Sequence, residues 1–346
     1  MRQFEHIVAA DSSRRHADDI AAPTMASYRA PWWLPGGHLQ SIWPSLFAHP
    51  RLAHTPRYTR ERWRTPDDDF VDVDHLGATP GAPWLILFHG LESSSRSRYA
   101  VAFALAAQRR GWNFCVPHFR GCSGEPNLLP RSYHSGDFAE IGFMLDRIRA
   151  RAAGPVYAAG VSLGGNALLR WAEEAGGTAS RVARAVAAVS APVDLAASGH
   201  AIDSGIKRLI YARMFLRTLK PHALAKLQQH PGLFDRDRML AATTLHAFDD
   251  CVTAPMHGFA DADDYWCRAS AKPHLKEIRV PTLVFNARND PFVPGWSLPG
   301  PRDVGSAVTL WQPADGGHVG FPAGRFPSHV HAMPEAVCAW LDSAAA

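Results

Sequence analysis

The sequence predicts an α/β fold: one central, mostly parallel sheet with helices on both faces and a helical insertion late in the chain. Three observations carry that prediction. From residue 84 onward, short apolar runs alternate with helix-length amphipathic segments, the rhythm by which each strand returns parallel to the last through a covering helix. At 155–166 the run PVYAAGVSLGGN passes from an apolar strand through a tight glycine-flanked turn into a helix. Between Asp194 and about residue 263 the alternation stops, and it resumes in two further strands. The organisation expected is an N-terminal extension over 1–55 packing on the core, the core's first part over 56–193, a helical lid over 194–263 and the core's second part over 264–346.

Each element has its own signal. Residues 57–65 and 69–76 alternate partially and read as antiparallel edge strands before the parallel sheet begins. Residues 84–88 (WLILF) form a buried strand, 98–110 a helix, and 112–117 a strand in which Cys115 is core. The 137–153 segment is a helix with Ile141, Leu145 and Ile148 on one face. The elbow strand follows, then a helix over 167–174, a strand over 185–190, helical pieces at 202–219 and 221–229, and strands at 280–287 (VPTLVFNA) and 307–311.

The chemistry is read at the turn Gly160-Val161-Ser162-Leu163-Gly164. So sharp a strand-to-helix turn needs glycine two positions either side, because larger side chains would collide with strand and helix. It presents Ser162 above the sheet beside the free N–H groups of a helix start, as a nucleophile requires. Partners follow in the order Ser, Asp, His of an α/β-hydrolase. Asp290 follows a buried strand at once and is the expected acid; His318, on the glycine-rich loop after the last strand, is the expected base. Asp194, after the 185–190 strand, and Asp315, three residues before His318, are the rival acids, although Asp315 also suits a turn before Gly-Gly. The oxyanion donors expected are the backbone N–H groups of Leu163 and Leu91, the latter in the His89-Gly90-Leu91 turn after the 84–88 strand.

A set of ordered motifs, GGHLQSIWP (36–44), FHGLESSSRSRY (88–99), HFRGCSGEPN (118–127), YHSGDFAEI (133–141), GVSLGGN (160–166), TAPMHGF (253–259), NARNDPF (286–292) and GGHVGF (316–321), resembles the YheT-like branch of the α/β-hydrolases over nearly the whole chain. The resemblance implies an esterase or lipase-like hydrolase whose Ser/Asp/His triad maps onto Ser162, Asp290 and His318. Two departures are present. This chain has Ser93 where the family usually has glycine, and Asn289-Asp290 where it often has two aspartates.

Composition fits a globular enzyme. With 346 residues, 47% hydrophobic, the chain can bury a large core, and a net charge of +4 with no basic run interleaved with aromatics argues against nucleic acid. No stretch approaches the ~18 apolar residues of a membrane span. The charged first twenty residues lack a signal peptide's apolar core, and five cysteines without paired ligand spacing suit free thiols, so a cytoplasmic protein is expected. Arg213, Arg217 and Lys220 share a stripe with Ile206, Leu209 and Ile210, so no clean basic-versus-apolar division predicts a helix lying on lipid. His257, Asp261 and Asp264 lack a recognised ligand spacing; no metal and no cofactor are expected.

Substrate choice is expected to lie in lid residues Ile210, Tyr211, Met214 and Phe215, with Trp32, Trp33 and Trp43 as further candidates for an acyl tunnel. The function predicted is cleavage of short- to medium-chain carboxylic esters or lipid esters. The alternatives are acyl transfer through the same acyl-enzyme and a non-catalytic binding protein on the same scaffold. Oligomeric state is not encoded in any of these signals.

Overall fold

The strand WLILF sends Leu85 and Leu87 to one apolar cluster and Ile86 and Phe88 to another, all four fully buried. Only a sheet covered on both faces accepts that pattern. The structure, a computed structural model, describes residues 28–48 and 56–344. Its strands are β1 (Thr59–Arg64), β2 (Phe70–Leu76), β3 (Trp84–Phe88), β4 (Asn113–Pro117), β5 (Val156–Val161), β6 (Ala185–Val189), β7 (Thr282–Phe285) and β8 (Val308–Trp311). They form one eight-stranded sheet in the order β1-β2-β4-β3-β5-β6-β7-β8. β2 runs antiparallel to β1 and β4, and every pairing beyond is parallel.

The helices of eight or more residues are α1 (Gly36–Leu46), α2 (Arg98–Arg109), α3 (Phe138–Arg151), α4 (Leu163–Ala175), α5 (Leu195–Asp203), α6 (Arg213–Gln229), α7 (Ala262–Ala269) and α8 (Ala332–Ser343). α3 and α4 cover one face through Ile141, Leu145, Ile148, Leu168 and Leu169. α2 and α8 cover the other through Phe103, Val337 and Leu341. All parallel strands therefore point their carboxyl ends to one rim, where loops can converge.

Between β6 and β7 the chain leaves the sheet and builds a helical insertion with its own small core around Leu216, Met239, Phe248 and Val252. Its helices depart from the expected pieces in two ways. α5 stops at Asp203, ahead of Gly205 in a left-handed conformation (φ 52°), so the 202–219 segment is not one helix. α6 runs unbroken through Pro221, which lies on the solvent side, where a carbonyl deprived of its helical donor can bond to water. A π-helical turn, Arg208–Ala212, feeds into α6.

The leader-free reading of residues 1–20 lies outside the described residues. Among the described residues no helix is long and apolar enough to cross a membrane, and all five cysteines are free thiols.

Candidate active site

At the end of β5 the turn is as tight as its glycines imply. A Cβ on Gly160 would come within 2.4 Å of the Gly164 carbonyl oxygen, and one on Gly164 within 2.5 Å of the His89 oxygen. Ser162 itself adopts φ 55°, ψ −121°, a region that costs a non-glycine residue about 1–3 kcal/mol and persists only when its surroundings hold it. The holding bonds are visible: Ser162 N–H donates to Val189 O at 2.8 Å, and Ser162 O accepts from Gly165 N–H and Asn166 N–H at 2.9 and 3.1 Å.

Three side chains from distant loops meet above this turn. His318 Nε2 lies 3.0 Å from Ser162 Oγ, and His318 Nδ1 donates to Asp290 Oδ2 at 2.8 Å. Because a carboxylate only accepts, Nδ1 carries the proton and Nε2 is left to receive the serine's. The Asp290 side chain is wholly buried; its other oxygen accepts from Phe292 N–H and Val293 N–H at 2.8 and 3.2 Å, bonds that offset the loss of water. The rival acids are engaged elsewhere. Asp194 caps α5 by accepting from Ala197 N–H, and Asp315 accepts from the Asn289 amide.

The loop after β3 faces Ser162 from the other side, where a Cβ on Gly90 would stand 3.3 Å from the serine Cβ. His89 fixes this loop. Its Nε2 accepts from Phe119 N–H and its Nδ1 donates to Gly90 O, and burial beside His118 holds its pKa down at about 3, so the ring stays neutral. Tyr99 accepts from Gly90 N–H and donates to Ser93 Oγ. The left-handed residue of the loop is Glu92 (φ 54°), and Ser93 is not in that region, so serine in place of the family's glycine incurs no such strain. Neither Leu91 N–H nor Leu163 N–H donates to another protein group among the described residues; both border the cavity beside Ser162.

That cavity, about 360 Å³, runs beneath the helical insertion and is lined by Ser162, His318 and mostly apolar side chains, including Leu195, Ile202, Phe248, Val252, Phe292 and Val293. Of the four lid residues expected here, only Phe215 lines it. Tyr211 is buried behind the wall, against Phe292 and bonded to His38, while Ile210 and Met214 are 45% and 50% exposed. The five-residue π turn shifts the helical phase, which a regular 3.6-residue repeat cannot foresee. The tryptophans are elsewhere too: Trp32 is exposed, and Trp33 and Trp43 pack on Phe326. His257 and His134 stand together on the cavity wall, both pushed down to about 3, chiefly by burial. Asp261 caps α7 and Asp264 pairs with Arg268.

Sequence reasoning missed the brace supplied by α1. Gln40, 2% exposed, accepts at one oxygen from both the Asn289 amide and Gly316 N–H, tying the acid's loop to the histidine's. Ser41 Oγ accepts from His318 N–H at 2.7 Å, and Ser190 Oγ from Val319 N–H at 3.1 Å. Packing is close enough that a Cβ on Gly37 would lie 1.7 Å from the Asn289 oxygen. The only prior signal was the GGHLQSIWP motif.

Residues 83–324 match the family model described as alpha/beta hydrolase fold. YheT of Escherichia coli (strain K12), which is named as an esterase, is 39% identical over 83% of this chain and 84% of its own length. Phospholipase ABHD3 of Mus musculus is 27% identical over 78% and 68%, and the monoacylglycerol lipase of Saccharomyces cerevisiae 29% over 82% and 63%. Est1E from Butyrivibrio proteoclasticus, solved with ferulic acid bound, superposes with a TM-score of 0.51 at 15% identity, covering 83% of this chain and 98% of that one; this is a likeness of fold. The chain belongs to the α/β-hydrolase family, in its YheT-like branch.

Proposed function

We propose that this α/β-hydrolase cleaves carboxylic esters of small molecules or lipids through a Ser162-His318-Asp290 triad and an acyl-enzyme. The observation that carries the reading is the unbroken hydrogen-bonded chain from Ser162 Oγ and His318, both at the cavity wall, to buried Asp290 behind them. His318 Nε2 takes the serine proton as Oγ attacks the ester carbonyl carbon. The oxygen that becomes negative is met by the N–H groups of Leu91 and Leu163. Collapse of the tetrahedral intermediate breaks the bond to the alcohol, which leaves with the proton held by His318. Water then attacks the acyl-enzyme, gives its proton to His318, and releases the acid as Ser162 recovers its hydrogen. Asp290 keeps the imidazole in the one tautomer that can accept.

Apolar walls in the insertion favour an acyl group in the cavity, and its modest volume favours short to medium chains. A fluorophosphonate probe should label the wild type at Ser162 and leave Ser162→Ala unlabelled with an unchanged melting temperature. A p-nitrophenyl ester series of increasing chain length should give turnover only in the wild type. Labelling that survives Ser162→Ala, or an unreactive wild type, rejects the reading.

A further inference from the structure

From Ser204 to Gln229 the chain contains no Asp or Glu, yet it contains six Lys and Arg. Two are internally engaged: Lys220 Nζ donates to Leu240 O, and buried Lys226 donates to the carbonyls of Asn127 and Leu129. The remaining four, Lys207, Arg208, Arg213 and Arg217, make no ion pair among the described residues. Interleaved with them on the outer side are Ile206 and Leu209, 69% and 63% exposed, together with Ile210 and Met214. The π turn makes this division, turning Tyr211 and Ala212 inward while their aliphatic neighbours face solvent.

We infer that this outer face of the insertion docks on an anionic lipid bilayer. Burying large aliphatic side chains at the acyl boundary while cations meet the headgroups satisfies both halves of the patch. The long Arg and Lys stems can lie along apolar surface with their charges raised to the phosphates, so the mixture of the two residue types is no obstacle. An acidic protein would match the charge but gives no reason for four protruding aliphatics. Phe215 and Leu219, from the same helical run, line the cavity beneath. A docked face would therefore set the cavity's roof against the bilayer; only the relevance of that to an ester substrate rests on the hydrolase reading.

The test uses the full chain and sedimentation with vesicles of phosphatidylcholine carrying roughly one-fifth phosphatidylserine, against phosphatidylcholine alone. Binding is expected to the anionic vesicles at low salt and to weaken about tenfold or more as salt rises from about 0.05 to 0.5 M, since exposed charges are then screened. R208E/R213E/R217E should lose binding, and I206S/L209S should weaken it about tenfold without altering net charge. Both variants substitute exposed side chains, so melting temperature and turnover of a water-soluble ester should stay at the wild-type level. Ser162→Ala should bind vesicles like the wild type, which separates this inference from the catalytic one. Absence of binding to anionic vesicles, equal binding to neutral ones, or a charge-reversed variant that still binds overturns it. So does capture by soluble polyglutamate with I206S/L209S unaffected, an outcome that favours an acidic protein.

Discussion

Glu92, one residue beyond Leu91 in the loop facing Ser162, forms an ion pair with His222 of α6: the imidazole Nδ1 lies 2.5 Å from the carboxylate Oε2. The other carboxylate oxygen accepts from Tyr133 OH, whose oxygen in turn accepts from Glu92 N–H. The insertion is thus fastened directly to the loop that faces Ser162.

The adjacent Glu92 carboxylate, more than burial opposes it, raises the pKa of His222. A raised value means the pair's contribution is complete below the unfolded imidazole value of ~6.5 and disappears as pH climbs through the higher folded one. Hydrogen-exchange protection of α6 should therefore fall across that alkaline window in the wild type. In His222→Ala it should already be low and lack that pH dependence. Protection that is indifferent to pH in the wild type contradicts the prediction. Because His222 is largely exposed, the effect on global melting should be small.

Asp290→Asn should leave the buried side chain's volume and its bonds from Phe292 and Val293 in place. The amide would present N–H to His318 Nδ1, forcing the proton onto Nε2 and removing the acceptor for Ser162. Turnover should drop on the order of 10⁴-fold with little change in KM, as measured by steady-state kinetics on a soluble ester. A drop below tenfold would instead point to another acid.

Gln40→Leu strips the shared acceptor from the Asn289 amide and Gly316 N–H. Leaving the buried Gly316 N–H unpaired costs about 1–3 kcal/mol, while the half-buried Asn289 amide keeps Asp315, so unfolding midpoints should move down. The informative reading is kinetic: kcat should decline while KM holds, because the imidazole's placement is loosened and the cavity wall is not. Equal changes in both would indicate a general loss of structure.

Phe215→Ala should shift the preferred acyl length upward, by about tenfold in the ratio of kcat/KM values for a longer over a shorter ester, because it removes cavity wall. Met214→Ala, one residue away and facing solvent, should leave the ratio unchanged. Chain-length profiles of the two variants side by side decide between them.

What could be read from residues alone divides along physical lines. The bounds of β3 are legible because WLILF is an uninterrupted apolar run between Pro83 and His89-Gly90, and the meeting of Ser162, Asp290 and His318 follows from the loops after the strand ends on which they sit. Helix α3 was expected two residues longer at its C-terminal end, where Ala152 turns extended, an end effect that composition does not encode. The outward placement of Ile210 and Met214 goes with a π-helical turn, Arg208–Ala212, that nothing in the residues announces. Gln40 and Ser41 were invisible as site supports because their partners lie 276 and 277 residues away. Side-chain to backbone bonds at that separation leave no periodic trace.

The brace from α1 also bears on how the protein is made. Gln40 and Ser41 leave the ribosome well before Asn289, Gly316 and His318, so the site's geometry closes through contacts some 249–277 residues apart in sequence. A nascent polypeptide carrying Ser162 would expose the hydroxyl long before anything could activate it. If the proposed triad operates, fragments that end before His318 should be inert toward serine-directed probes.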